Sequence, residues 1–182
     1  MYKNINKIGF TLIELMVGIT IIGIMSLGIR NIAFNNISDK QKLEIFNNKI
    51  ISEIEKVRND SLIGKGIGIN IDAPKSWKID FSTNSGGKIL TSYTIDGTNW
   101  VQINNIPMEN LMSINKVSCV NVDNSSTQNL TTTQTGSILF EKGKYKLSGN
   151  CNNTFTSLKI ETYNKGYLKE FSFDVISGII KR

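Results

Sequence analysis

The chain has no histidine, two cysteines and two prolines among its 182 residues. The absence of histidine removes the commonest general base, the commonest metal ligand and most nucleophile–base pairings together. Cys119 and Cys151 stand 32 positions apart with no Cys-x-x-Cys pattern. That spacing suits a disulfide better than a metal site if the domain lies in an oxidising compartment, and two buried free thiols are the alternative. Long apolar runs are equally scarce, for there is one, from Phe10 to Ile29. Asp72, Asp80 and Asp96 sit in or beside turn signals, where aspartate serves the backbone, and no EF-hand spacing surrounds them. Gly64-x-Gly66-x-Gly68 is too short for a dinucleotide fingerprint and follows no strand. The Asn152-Asn153-Thr154 triplet is expected by chance in so Asn- and Thr-rich a chain. No catalytic residue, metal site or cofactor is expected, and the chain does not read as an enzyme.

What remains is ordinary for a folded protein: 40% apolar and 20% charged residues. The formal charge of +6 is unevenly placed. Lys3 and Lys7 lie at the start, residues 10–140 are balanced, and the excess gathers after residue 140. There Lys142, Lys144, Lys146, Lys159, Lys165, Lys169, Lys181 and Arg182 face Glu141, Glu161, Glu170 and Asp174. A local basic excess attracts polyanions such as DNA, with Lys142, Lys144, Lys181 and Arg182 as the candidate contacts. The alternative is a solvated strand face.

The first nine residues are short, polar and basic. The apolar run that follows ends at Arg30 and Asn31 and would span about 30 Å as a helix, the thickness of a bilayer's hydrocarbon core. Lys3 and Lys7 would hold the N-terminus in the cytoplasm. A secretory signal fits less well, because the run is longer than usual and no Ala-x-Ala-like site follows it. Glu14 is the anomaly, since a carboxylate in lipid costs roughly 2.5–3.5 kcal/mol and no basic side chain lies near it within the span. If the chain is cut after Gly9, the freed amine of Phe10 becomes a partner, within the helix or from a neighbouring copy.

Gly9-Phe10-Thr11-Leu12-Ile13-Glu14-Leu15, with its basic leader and apolar run, resembles the processing motif of type IV pilins and type II secretion pseudopilins. The resemblance implies a membrane-embedded prepilin peptidase that cuts between Gly9 and Phe10 and methylates Phe10. It implies that Glu14 docks on the terminus of an adjacent subunit, and that other copies or other pilins and an inner-membrane assembly platform are partners. The protein would sit in the cytoplasmic membrane as a single span with its N-terminus inside, then enter an extracellular or periplasmic filament. Many members carry a disulfide near the C-terminus, which implies pairing of Cys119 with Cys151. The chain departs from many major pilins in lacking a proline near Asn31. Gly18, Gly23 and Gly28 could let the span loosen on assembly or permit close helix packing, and packing is the favoured reading.

The expected fold class is α+β: a long N-terminal helix, half membrane-spanning and half amphipathic, packed on a C-terminal antiparallel sheet. The boundaries are a leader at 1–9, a membrane and filament-core helix at 10–30, an amphipathic stalk at 31–63 and a β-rich head at 64–182. Leu43, Phe46, Ile50, Ile54 and Val57 form an apolar stripe at helical spacing. A helix from Phe10 to about Leu62 would run roughly 80 Å, with Ser38 or Asp39 able to cap a break and Gly64 or Gly66 ending it. Strands are expected at Ile67–Ile71, Trp77–Phe81, Ile89–Ile95, Trp100–Ile103, Ser113–Val120, Ser137–Phe140, Lys144–Leu147, Leu158–Tyr163 and Tyr167–Val175. Asp96-Gly97 and Asn164-Lys165-Gly166 are hairpin signals, and 124–135 is expected to be a mobile polar loop. The ending Asp174–Ile180 resembles the closing strand and turn of H-type pseudopilins and related minor pilins. These features point to a filament subunit, a minor pilin or pseudopilin more than a major one. A DNA-contacting subunit and a surface domain that keeps its first nine residues are the alternatives.

Overall fold

The computed structural model describes residues 11–31, 38–66, 73–84, 87–108, 111–121, 126–152 and 154–182, with backbone only for 25–31. Gly9, Phe10, Asp72 and the expected strand Ile67–Ile71 lie outside the described residues. The chain divides into two compact units, Met1–Ile37 and Ser38–Arg182. It is α+β, as expected of a pilin fold.

The first unit holds helix α1, Leu12–Asn31. The second opens with helix α2, Asp39–Ile63. Ser38 between them is extended at φ −57°, ψ 147°, so the single long helix expected from the sequence is two. The cause is local chemistry. The Gln41 N–H donates to Ser38 Oγ at 3.3 Å, and the Ser38 N–H donates to Gln41 Oε1 at 3.0 Å. This reciprocal capping box satisfies two of the orphan groups that a new helix start exposes. At the other end Gly64 takes the left-handed conformation that stops the helix, φ 62°.

Ten strands follow: β1 Ser76–Ser82, β2 Lys88–Thr94, β3 Val101–Ile106, β4 Met112–Val120, β5 Thr127–Asn129, β6 Thr135–Glu141, β7 Lys144–Gly149, β8 Ser157–Asn164, β9 Tyr167–Asp174 and β10 Ile180–Lys181. They form two five-stranded sheets rather than one, in the orders β3-β2-β1-β6-β7 and β10-β9-β8-β4-β5. All described pairings are antiparallel. Alternation aims Trp77, Ile79 and Phe81 of β1, Ile138 and Phe140 of β6, and Leu158 and Ile160 of β8 into one core. The stripe Leu43, Phe46, Ile50, Ile54 and Val57 is at most 3% exposed and packs with α2 on β1, β6, β8 and β9. Each such side chain stabilises by roughly 1.5–3 kcal/mol.

Polar residues inside this interface have partners. Buried Asn47 donates to the Leu43 carbonyl and to Thr162 Oγ1, both at 2.8 Å. Glu53 Oε1 accepts from Thr91 Oγ1 at 3.2 Å and Asn104 Nδ2 at 3.0 Å. Arg58 donates to Tyr145 Oη at 2.9 Å and to the Gly178 carbonyl at 3.0 Å, pinning the closing turn to α2.

The expected polar loop is partly a strand. β5 pairs with the free edge of β4, Ser118 opposite Asn129, and Leu130 is buried against the core. The open backbone groups of β4 and one apolar anchor outweigh the low β-propensity of the stretch.

Candidate functional site

Thr11 opens α1 by the same device that opens α2. Its N–H and Oγ1 both donate to Glu14 Oε2 at 2.9 Å, and the Glu14 N–H donates to Thr11 Oγ1 at 3.3 Å. Glu14 therefore has a partner within its own first turn. The signal is legible in the sequence as Thr-x-x-Glu ahead of an apolar run, a neutral partner rather than a charged one.

Beyond this turn the helix is apolar on every side. Leu12, Ile13, Leu15, Met16, Val17, Ile19, Ile21, Ile22 and Ile24 are all more than half exposed, and open space surrounds Gly18 and Gly23. Such a surface needs cover from lipid or from other helices. Among the described residues no helix is long and apolar enough to cross a membrane. The side chains described on α1 end at Ile24, short of the roughly 20 residues a span requires.

Residues 5–29 match the family model described as the prokaryotic N-terminal methylation motif. The chain carries a prepilin-type methylation motif. This motif is the signature of type IV pilin and pseudopilin precursors. It implies processing by prepilin peptidase and assembly with other pilins as a structural subunit. The motif covers the start of the chain and leaves the head unmatched. Neither the curated proteins nor the solved structures give a match to the chain. Gly9 and Phe10, between which cleavage is expected from the sequence, lie within this motif but outside the described residues.

In the head, Cys119 of β4 and Cys151, just after β7, form a disulfide with Cα atoms 5.7 Å apart. It ties the second sheet to the end of the first, and both residues are buried.

The basic excess after residue 140 is largely spoken for. Lys146 pairs with Glu141, Lys159 with Glu170, Lys165 with Asp39, Lys169 with Glu44 and Lys181 with Asp174, at 2.8–3.8 Å. The four candidate polyanion contacts line three different cavities. Lys142 and Lys144 share one with Lys75, Ser76 and Glu141. Lys181 faces Lys159 and Asp174, and Arg182 borders a cleft with Ile54, Arg58 and Phe173. Lys75 is the residue that sequence reasoning missed, because it lies outside the basic segment and only the pairing of β1 with β6 brings it there.

Of the candidate aspartates, the two described, Asp80 and Asp96, are each engaged locally. Asp80 pairs with Lys78 at 3.0 Å. Asp96 accepts from the N–H groups of Thr98 and Asn99, both at 2.8 Å, and from the Asn99 and Thr94 side chains. These bonds, the Asn99 N–H first, hold its carboxyl far below the usual range. They make it a turn-forming group with its oxygens engaged. Among the described residues no group of three His, Cys, Asp or Glu is placed to hold a metal ion.

Proposed function

We propose that this chain is the precursor of a minor pilin or pseudopilin, cut between Gly9 and Phe10 and packed into a filament through its N-terminal helix. The carrying observation is the methylation motif over residues 5–29, with Glu14 five residues into the mature chain. Phe10 becomes the methylated terminus. Residues 10–30 form the membrane and filament-core segment, 31–63 the stalk and 64–182 the head. The exposed apolar surface of α1 supports this reading, because lipid before assembly and neighbouring helices after it supply the cover it lacks. Glu14 keeps its cap at Thr11 through Oε2 and takes the amine of an adjoining copy on Oε1. An inner-membrane platform receives the trimmed subunit and extrudes the filament to the periplasm or beyond.

Glu14→Ala tests the assembly role. The variant should still be trimmed to Phe10, read by intact mass, and remain in the membrane fraction. Its recovery in sheared filaments should fall at least tenfold, the equivalent of about 1.4 kcal/mol per contact. Normal incorporation would overturn the role of Glu14. A functional chain that begins at Met1 would overturn the whole reading in favour of a simple anchored domain.

A further inference from the structure

We propose that the cavity lined by Lys75, Ser76, Glu141, Lys142 and Lys144 is a subsite for the phosphodiester backbone of nucleic acid. It is a cavity of about 470 Å³ at the end of the first sheet. Strand register gathers its lysines. β1 and β6 pair as far as Trp77 opposite Phe140, so Lys75, just before β1, and Lys142, in the turn after β6, come to the same end of the sheet. The Lys75 N–H donates to the Thr94 carbonyl at 2.8 Å, which fixes its backbone. Glu141 pairs with Lys144 across a two-residue turn of Lys142 and Gly143. Both turn residues have positive φ, 43° and 84°, the geometry of a tight hairpin.

A lysine in the left-handed region is uncommon, since asparagine or glycine fills it with less strain. The molecule has a second such lysine, Lys165 with φ 44°, and the comparison is informative. Lys165 pairs with Asp39 at 3.3 Å and holds the β8–β9 turn to the start of α2. Among the described residues no carboxylate lies within ion-pair distance of Lys142, Lys144 or Lys75. The acid in the cavity, Glu141, is already engaged by Lys146 at 3.2 Å and by Ser76 Oγ at 3.3 Å. Three lysines without an ion pair line this one concavity, the Lys75 side chain running over Gly97 of the β2–β3 turn. Together they raise a local positive field that favours a ligand of closely spaced anionic charges.

Phosphodiesters suit these groups. Lysine offers a hydrated point charge with rotating donors, which reads phosphate oxygens without reading bases. The cavity presents no arginine fork for bidentate recognition, so binding would be independent of sequence. Within the second unit the cavity lies far from Ser38. Gly143 lies against Leu62, at the end of α2 remote from Ser38. The 25 residues of α2 separate those two ends by about 38 Å.

The test is the salt dependence of binding of a labelled 20-base-pair duplex to the full chain in neutral-detergent micelles, read by fluorescence anisotropy. Three phosphate contacts predict a slope of log K against log salt of about −2.7, a loss of about 40-fold between 50 and 200 mM. The triple variant Lys75→Gln/Lys142→Gln/Lys144→Gln should bind too weakly to measure or lose most of that slope. The corresponding triple Lys→Arg variant should keep it. A control, Lys159→Gln/Lys165→Gln/Lys169→Gln, removes the same charge elsewhere and should bind as the parent does. Equal weakening in that control, or no binding at 50 mM salt, would overturn the proposal. So would equal competition by polyglutamate, or anionic vesicles being bound through the same lysines in preference to the duplex. Matching thermal melts would show that each variant is folded. Filament incorporation is scored separately, so failure here leaves the assembly reading standing.

Discussion

Breaking the link between Cys119 and Cys151 should cost the head a defined part of its stability. The bond closes a loop with a sequence separation of 32 residues, enclosing β5, β6 and β7. In the chain-entropy model a loop of that size constrains the unfolded state by about 3.7 kcal/mol at 25 °C. For a domain of this size, 1 kcal/mol moves the melting midpoint by roughly 2–4 °C, so reduction should lower it by about 7–15 °C. The useful comparison is the oxidised against the reduced parent, melted in detergent with and without dithiothreitol and with alkylation to verify the bond. Cys119→Ala/Cys151→Ala should fall at least as far, because it also removes two buried sulfur atoms. Oxidised and reduced forms melting within about 2 °C of each other would refute the loop-closure reasoning. The bond also bears on compartment, since such links persist in the periplasm or outside the cell and not in the reducing cytosol.

Two further outcomes follow from local geometry. Asp96 is held ionised below the usual carboxylate range, so on acidification the unfolded chain takes up its proton first. Its contribution is whole above about pH 5 and declines as the pH falls through 4 and lower. Asp96→Asn should flatten that acid limb of the melting profile, and an Asp96 carboxyl that titrates near 4 by NMR would refute the assignment. Gly136→Ala should destabilise by about 1–3 kcal/mol, because a Cβ there would meet Leu158 at 2.8 Å and Leu130 and Val117 at 3.0 Å. An unchanged melting midpoint would show that the packing around β6 is looser than these distances require.

Much of the head was legible because its signals are local. The stripe from Leu43 to Val57 and the stop at Gly64 follow from side-chain spacing and backbone freedom. The turns at Asp96-Gly97 and Lys165-Gly166 lie where glycine permits a positive φ. What escaped depends on partners distant in sequence. Asn47 reads as a surface residue until Thr162, 115 positions later, receives its amide. β5 reads as loop until β4 offers it an edge. The division into two sheets escaped for the same reason, because strand order is a property of pairing and not of any one strand. At the basic end, composition located a charge excess but not its arrangement. Ion pairs remove five of the eight cations, and register adds Lys75, which no count of the C-terminal segment includes.

The Thr11–Glu14 cap lowers the cost of placing this carboxylate in lipid without cancelling it. A capping interaction of this kind is worth roughly 0.5–2 kcal/mol, against a lipid penalty of roughly 2.5–3.5 kcal/mol for the charge. The local cap therefore offsets part of the cost and leaves on the order of 1–2 kcal/mol without compensation. Both Thr11 donors bond to Oε2. A cationic amine approaching Oε1 would add a bond charged on both sides, while the cap, whose Thr11 donors are neutral, stays in place. Under the proposed assembly the cap would keep the helix start intact while the subunit waits in the membrane, and the incoming terminus would add the contact between two full charges. A helix that begins with its carboxylate already oriented by Thr11 would present that second oxygen at low entropic cost to such a neighbour.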